Sequence, residues 1–239
     1  MTVTESAAAK FDHSRAGEYA EQSRIALAGY DACHALVACM LTAALGSGTR
    51  AHVLVAGAGG TAQEIVYAGR LEPHWHFTAV DPSEPMLALA TSSIAAAGLS
   101  HRTQVVQGTV DALPQDATFD AATLIGVLHH LPGDAAKAQI LDAIATRLMP
   151  GAPLVLACNR KAYDSESLLL AAWGERWRMH GVTPEEVTAK LGKIRQGAEP
   201  PASDDAVLQL LANAGFERPL MFFSSLFWGA WIAFRRTAL

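Results

Sequence analysis

Three glycines follow an apolar run in the stretch Val53 to Thr61, which reads VLVAGAGGT. Gly57, Gly59 and Gly60 stand where a buried strand must turn tightly into a helix, and their lack of side chains lets a ligand approach the bare backbone. An ordinary strand-to-helix turn would contain similar glycines. The pattern alone is therefore a weak indication of a binding site.

An acidic residue strengthens the ligand-binding interpretation. Asp81 ends the next apolar run, about two dozen residues after the glycines, where a carboxylate can accept hydrogen bonds from both hydroxyls of a ribose. Together the glycines and Asp81 predict a nucleoside ligand. NAD enzymes share both features, with a GxGxxG pattern in which Ala62 would replace the third glycine, so these two features leave the choice of nucleoside open.

Two adjacent histidines, His129 and His130, follow the apolar run Ala121 to Ile125. They come at the carboxyl end of a predicted strand, where the ligands of open α/β sheets bind, and histidine has a pKa suited to general-base catalysis. Packing beneath a ligand would explain the same residues, so His129 is a candidate base and His130 a weaker one. Asn159 and Tyr163, after the next strand, could point into the same crevice.

Apolar runs that alternate with helical patterns predict the elements that position these residues. The predicted strands are 53–56, 77–80, 104–107, 121–125 and 154–157, and the predicted helices between them are 61–70, 84–97 and 135–148. Strands that alternate with helices favour a parallel sheet. A last helix over 204–214 leads into two β-rich runs, 216–224 and 226–234, which predict an antiparallel pair. The expected fold is α/β, with a Rossmann-like, seven-stranded, mostly parallel sheet closed by an antiparallel hairpin.

A purely helical segment interrupts this alternation from Tyr163 to Arg195. Trp173, Trp177 and Met179 within it either line a pocket or form the segment's own core. We expect a single domain, 1–239, made of N-terminal helices (1–49), a cofactor-binding core (50–158), a helical cap insertion (159–203), and a final helix with the hairpin (204–239).

Composition excludes several classes of partner. The 239 residues include 18 basic and 23 acidic side chains, a net charge of -5, which leaves no basic stripe for nucleic acid. Three scattered cysteines favour neither a disulfide framework nor a metal site. The start MTVTESAAAKFDHS is unlike a signal peptide, and the apolar run Ala35 to Leu45 is too short to span a bilayer. These features predict a cytoplasmic protein without metal, membrane or nucleic-acid partners.

Three later stretches decide between the nucleosides by resemblance. FTAVDPSEPMLALA, VVQGTVDALPQDATFDAATLIGVLHHLP and LMPGAPLVLA resemble, in this order, the class I S-adenosylmethionine-dependent methyltransferases, over roughly Arg50 to Ala157. The resemblance implies S-adenosylmethionine as cofactor, S-adenosylhomocysteine as product, and methyl transfer to an oxygen, nitrogen or carbon of a small molecule. The cofactor residues that it implies are Tyr30, Gly57, Ala58, Gly59, Asp81, Pro82, Met86, Thr109, Val110, Asp111, Ile125 and Gly126.

Two acids of that family are missing from this chain. Val55 stands where the family has an acid that helps to hold the methionine amino group, and Thr109 stands where an acid reaches the adenine. Either Thr109 and the backbone of Val110 frame the adenine, or Asp111 takes over that role. Because both acids are missing, a further hypothesis stays open, in which the chain binds the cofactor as the non-catalytic partner of another protein.

A closer resemblance, at both ends of the chain, is to bacterial carboxy-S-adenosylmethionine synthases. It rests on FDHSRAGEYAEQSRIALAGYDACHALVACML and on Ala-Gly-Phe at 214–216. It implies a homodimer in which Tyr30 contacts the cofactor, although Tyr30 could equally pack on the core. Arg24 would pair with the methionine carboxylate, or else be an exposed helix arginine.

The same resemblance raises the possibility of the carboxylated cofactor. An arginine of the synthases' cap neutralises its extra carboxylate, and the matching position falls near Leu191 and Gly192, which carry no charge. A small gap would bring Lys193 or Arg195 there instead. We therefore expect the ordinary methyl cofactor, with a carboxy-S-adenosylmethionine synthase-like enzyme as the alternative.

Overall fold

The computed structural model describes residues 18–237, which form eight α-helices and seven strands. In chain order these are α1 (Tyr19–Ala26), α2 (Tyr30–Leu45), β1 (Ala51–Ala56), α3 (Gln63–Leu71), β2 (Trp75–Asp81), α4 (Glu84–Ala96), β3 (Thr103–Gln107), β4 (Ala121–Ile125), α5 (Gly133–Arg147), β5 (Pro153–Asn159), α6 (Ser167–Met179), α7 (Pro184–Gly197), α8 (Asp204–Asn213), β6 (Phe216–Ser225) and β7 (Trp228–Arg235).

All seven strands belong to one sheet, in the order β3-β2-β1-β4-β5-β7-β6. Strands β1 to β5 pair in parallel, and β7 lies antiparallel between β5 and β6. The predicted fold class, including the closing hairpin, is confirmed. The chain order reverses between β1 and β4, and in open α/β sheets a crevice at the carboxyl ends of the strands opens at such a point.

Helices cover both faces of the sheet, which explains the continuous apolar runs of the central strands. Neighbouring residues of β1 point to opposite faces, so Val53 and Leu54 belong to two separate buried clusters. Every residue of β5 is buried. Strands of this kind lack the alternation of polar and apolar residues that a solvent-facing sheet shows.

The turn after β1 is longer than the sequence pattern predicted. Helix α3 begins at Gln63, two residues after the predicted start, because Ala62 adopts a left-handed conformation with φ of 48°. Gly57 and Gly60 also have positive φ, at 71° and 105°, which glycine tolerates without strain. The three residues together extend the loop that faces the crevice.

The predicted helical cap is present as a short turn, Tyr163–Ser165, followed by α6 and α7. Trp173 and Trp177 are buried with Phe227 in its core. Met179 ends α6 with 82% of its surface exposed, so its predicted place in a pocket or in the cap core was wrong.

Helix α6 holds the carboxyl end of α1. The Arg176 guanidinium donates to the carbonyl oxygens of Arg24 and Ile25, both at 2.7 Å, and Trp173 Nε1 donates to that of Ala26 at 2.9 Å. The last carbonyls of a helix have no partner within the helix, and these side chains supply one. The cap and the N-terminal helix therefore form one joined wall.

Among residues 18–237, no single helix is both long and apolar enough to cross a membrane. Helices α1 and α2 pass that test only as a pair, across a bend of 83°. The same residues contain no group of three or more His, Cys, Asp or Glu side chains that could hold a metal ion.

Candidate active site

Asp81 is fastened to the glycine loop at the carboxyl end of β2. Gly59 N donates to its Oδ2 at 3.0 Å, and Ser83 N donates to its Oδ1 at 2.8 Å. Burial raises the pKa of this carboxyl, and the two backbone donors oppose that shift. Each carboxylate oxygen keeps a further acceptor position, so the group can still receive the two hydroxyls of a ribose.

Gly59 is packed closely against two other residues of the site. A Cβ added to Gly59 would lie 2.5 Å from the Cβ of Met86 and 2.7 Å from Asp81 Oδ2. No side chain fits there without displacing one of these residues. Packing within the protein therefore requires glycine at this position, and the approach of a ligand to the bare backbone stays a prediction.

A cavity of about 600 Å³ extends from this loop to the underside of the cap. Helix α1, the start of α2, the glycine loop, the ends of β4 and β5, and the cap all contribute to its wall. The residues predicted for the site that line it are Tyr30, Gly57, Gly59, Ile125, Gly126, His129, His130, Asn159, Tyr163, Trp173 and Trp177.

Other predicted cofactor residues, Asp81 among them, are not part of the cavity wall. Ala58 and Met86 are buried beside the glycine loop, and Val110 is buried in the main core. Thr109 and Pro82 are half-buried. Their roles stay predictions.

Asp111 does not reach this cavity. Its side chain is exposed on the turn Val110–Ala112 and lines a shallow depression against α5. Thr109 and Val110, the other candidates for the adenine, do not line the cavity either, so the choice between them and Asp111 stays a prediction.

His129 is almost completely buried, with 4% of its surface exposed. Burial, together with the neighbouring charges of His130 and Lys137, holds its pKa well below the usual value, so the ring is neutral. Asn159 N donates to His129 Nδ1 at 3.4 Å. The proton of the neutral ring then sits on Nε2, which makes His129 a hydrogen-bond donor and argues against the predicted general-base role.

Asn159 offers an acceptor to the cavity. Its Nδ2 donates to the hydroxyl of Tyr163 at 2.8 Å, whereas its buried Oδ1 has no hydrogen-bond partner among the described residues. The indole Nε1 atoms of Trp177 and Trp228, which also line the cavity, are likewise buried without a hydrogen-bond partner among the described residues. Buried polar atoms are normally paired, so these three are suited to a bound molecule.

Tyr30 lies in the cavity wall and its hydroxyl is 2.6 Å from Thr61 Oγ1. Arg24 forms a two-pronged pair with Asp31, Nε to Oδ2 at 3.0 Å and NH2 to Oδ1 at 2.8 Å. It lies outside the cavity wall and is half-exposed. The exposed alternative for Arg24 therefore fits the structure, and pairing with a methionine carboxylate does not.

The cap contributes two lysines to the cavity wall. Lys190 Nζ lies 4.3 Å from the ring centre of Trp177 and donates to Gln22 Oε1 at 2.8 Å. Lys193 lines the cavity too, whereas Leu191 packs within the cap and Arg195 pairs with Asp164 outside the wall. Of the residues considered for this position, Lys193 is therefore the one that lines the cavity, three residues after Lys190 on α7.

The sequence interpretation missed several polar residues of the wall, Glu64 and His34 among them. Glu64 and His34 are both buried there, with His34 Nε2 3.7 Å from Glu64 Oε2. His34 follows Tyr30 by one helical turn and Glu64 follows the glycines, but 30 residues separate the pair. Their proximity becomes visible only in the folded chain.

Part of the chain matches a family of known proteins. Residues 54–154 match the family Methyltransf_12, described as a methyltransferase domain. These residues are a methyltransferase domain. The order of its strands and the closing hairpin belong to the α/β methyltransferase fold.

Relatives of the methyltransferase domain agree with that assignment. The chain is 32% identical to a demethylmenaquinone methyltransferase of Lactiplantibacillus plantarum over 137 aligned residues. The aligned segment covers 57% of this chain and 55% of the relative. The chain thus spans about half the length of the curated relative it matches.

Two solved structures share the fold at low sequence identity. An O-methyltransferase family protein from Burkholderia thailandensis aligns with a TM-score of 0.61 at 17% identity, over 92% of this chain and 64% of that one. Human N-acetylserotonin methyltransferase, solved in complex with S-adenosylmethionine, aligns with a TM-score of 0.56 at 18% identity, over 78% and 48%.

Proposed function

We propose that this protein transfers the methyl group of S-adenosylmethionine to a small molecule bound beneath the cap. The observation that carries the proposal is Asp81, fixed by Gly59 N and Ser83 N at the carboxyl end of β2, beside a loop that admits no side chain. A ribose-binding carboxylate next to a glycine loop is the arrangement that a nucleoside cofactor requires. The human neighbour solved with S-adenosylmethionine supports this choice of cofactor.

The protein's own part in the reaction is alignment and exclusion of water. A sulfonium cofactor supplies an electrophilic methyl group, so an in-line approach within a dry site contributes most of the acceleration. Trp173, Trp177 and Trp228 make the acceptor side of the wall largely aromatic.

The polar groups on that side suit a hydroxyl acceptor. Asn159 Oδ1 can accept from the acceptor's hydroxyl, and the Nε2–H of His129 can donate to its oxygen. His130, half-buried in the same wall, is then the better-placed candidate for receiving the proton. Oxygen is accordingly the acceptor atom that we favour over nitrogen or carbon.

The direct test uses S-adenosylmethionine labelled in the methyl group with a set of small phenols, catechols, amines and hydroquinones. Labelled product should form with at least one hydroxyl compound and should be absent with the Asp81→Ala variant. Calorimetry should show binding of S-adenosylhomocysteine and none of NAD. Binding of NAD alone would refute the assignment. Cofactor binding without transfer to any acceptor tried would favour the non-catalytic partner.

Lys193 supports a second candidate function, that of a carboxy-S-adenosylmethionine synthase-like enzyme. Its ammonium in the cavity wall could pair with an extra carboxylate, although less firmly than the planar fork of an arginine. Incubation with S-adenosylmethionine and prephenate, followed by the mass of the nucleoside product, separates the two candidates. Formation of the carboxylated nucleoside at catalytic rates would replace the methyltransferase proposal.

We also propose a cytoplasmic homodimer without nucleic-acid, metal or membrane partners. The homodimer follows the resemblance of both ends of the chain to the synthases, and the net charge of -5 disfavours nucleic acid. Light scattering during size-exclusion chromatography should give twice the chain mass of 25.3 kDa. A single-chain mass would contradict the dimer.

A further inference from the structure

Glu64 is a buried carboxylate that faces the cavity from the first turn of α3. Only 8% of its surface is exposed, and it lines the same wall as Tyr30 and Thr61. The resemblance to methyltransferases assigned this residue no role. Its position next to the glycine loop places it on the cofactor side of the cavity.

The surroundings of Glu64 provide little positive charge. Within residues 18–237, the only basic side chain within 4.0 Å of its carboxylate is His34, with Nε2 at 3.7 Å from Oε2. Tyr19, Tyr30 and Cys33 also lie near enough to feel its charge, and none of them is a cation. Burial raises the pKa of Glu64, which shows that its ionised form is poorly stabilised by the protein alone.

A cation from the cavity would offset that cost. A buried carboxylate is retained at little net penalty when a well-placed opposite charge pairs with it. The amino-acid part of the proposed cofactor carries such a charge on its α-ammonium group. This ammonium group loses its bound water when the cofactor binds, so it needs a partner in the cavity wall.

The residue expected to supply that partner cannot do so. Val55 stands where the resembled family has an acid, and in β1 it is a buried apolar side chain packed against other core residues. Val55 does not line the cavity, whereas the buried acid Glu64 does, together with the hydrogen-bonded pair Tyr30 and Thr61.

We propose that Glu64, with His34 behind it, receives the α-ammonium group of S-adenosylmethionine in place of the missing acid at Val55. This assignment rests on the proposed function, since it supposes that the cofactor binds. The carboxylate of Glu64 accepts hydrogen bonds from the ammonium. His34 Nδ1 donates to the carbonyl oxygen of Tyr30 at 2.8 Å, which fixes the imidazole ring beside this carboxylate.

The test compares two nucleosides that differ in the amino-acid part. S-adenosylhomocysteine has the ammonium group, whereas 5′-methylthioadenosine has the same ribose and adenine without it. Calorimetry on Glu64→Gln should show at least a roughly tenfold loss of affinity for S-adenosylhomocysteine, because a charge-assisted bond is lost. Affinity for 5′-methylthioadenosine should stay within about twofold of the unsubstituted protein.

Two matched variants complete the design. Glu72→Gln replaces another buried carboxylate, which accepts from Gly48 N at 2.8 Å outside the cavity, and should change neither affinity. Asp81→Ala should weaken both nucleosides, since both contain the ribose. Should Glu64→Gln fail to fold, Glu64→Asp keeps the charge with a shorter reach and should give a smaller loss confined to S-adenosylhomocysteine.

The outcomes separate this assignment from the proposed function. If Glu64→Gln weakens both nucleosides equally, Glu64 has a structural role and the assignment is overturned. It is overturned as well if S-adenosylhomocysteine binds the variant normally. If the unsubstituted protein binds neither nucleoside, the proposed function itself fails.

Discussion

The backbone N–H of Asn159 donates to Nδ1 of His129, a bond of 3.4 Å between the last residue of β5 and the turn that follows β4. It ties together two neighbouring strands at the edge where the cavity begins. It also decides which nitrogen of the histidine carries the proton, and with it the role that the ring can play.

We expect His129 to remain neutral, with its proton on Nε2, from pH 8 down to well below the ordinary histidine pKa of 6.5, because burial opposes the charged form. Nitrogen-15 NMR of the imidazoles over a pH series measures both the tautomer and the titration. A short histidine-containing peptide is the reference. A His129 that protonates together with this peptide, or that carries its proton on Nδ1, would restore it as a candidate base.

Lowering the pH should also destabilise the fold through His129. A histidine whose folded-state pKa is depressed favours the native state above the unfolded value, and this stability is lost as the pH falls below about 6.5. Urea unfolding at pH 7.5 and 5.5 should therefore show a smaller loss of unfolding free energy in His129→Gln than in the native chain. Equal losses would contradict the depressed pKa.

Replacing Asp81 with Ala should weaken S-adenosylhomocysteine binding by about 2 to 3 kcal/mol, because the ribose hydroxyls lose a charged acceptor. Isothermal titration calorimetry measures the change. Asp120→Ala is a suitable control, since that carboxylate accepts from His52 N at 2.8 Å at the amino ends of the strands, opposite the site. Unchanged affinity in the Asp81 variant would remove the ribose assignment.

Gly59→Ala should reduce cofactor affinity strongly, since the new methyl group would press on Met86 and on Asp81 Oδ2. Gly192→Ala, within α7, has nothing within 4 Å of the new Cβ and should instead raise the free energy of unfolding by about 0.5 to 1 kcal/mol. Chemical denaturation and calorimetry on both variants give the comparison. Normal binding by Gly59→Ala would show that the loop has room that the structure denies.

Arg24→Ala should leave S-adenosylhomocysteine affinity within about twofold, because Arg24 is engaged by Asp31 at a half-exposed position where such pairs contribute little. The same calorimetric titration applies, with Asp81→Ala as the positive control. A tenfold loss would return Arg24 to the cofactor's carboxylate.

The sequence specified the fold through strong, repetitive features. The apolar runs of β1, β4 and β5 and the glycines after β1 follow from burial and turn geometry, which depend on neighbours in the chain. The cap was predicted as helical for the same reason. The left-handed Ala62 was missed, because nothing in its residue type requires that conformation.

Within the site, the residues that the sequence predicted correctly were those that belong to a pattern of fixed spacing along the chain. Asp81 and Gly59 belong to a recurrent pattern of fixed spacing, so both were predicted as residues of the site. The pairing of Glu64 with His34, the orientation of Asp111 and the approach of Lys193 depend on how separate helices pack, which no local spacing encodes. These are the residues that the structure added or moved.

The bonds from Arg176 and Trp173 to the end of α1 join segments up to 152 residues apart in the sequence. Helix α1 and the cap are thereby mechanically coupled. If a molecule enters or leaves the cavity by displacement of α1, α6 must move with it or these hydrogen bonds must break, so loss of Arg176 would change the rates of ligand entry and release.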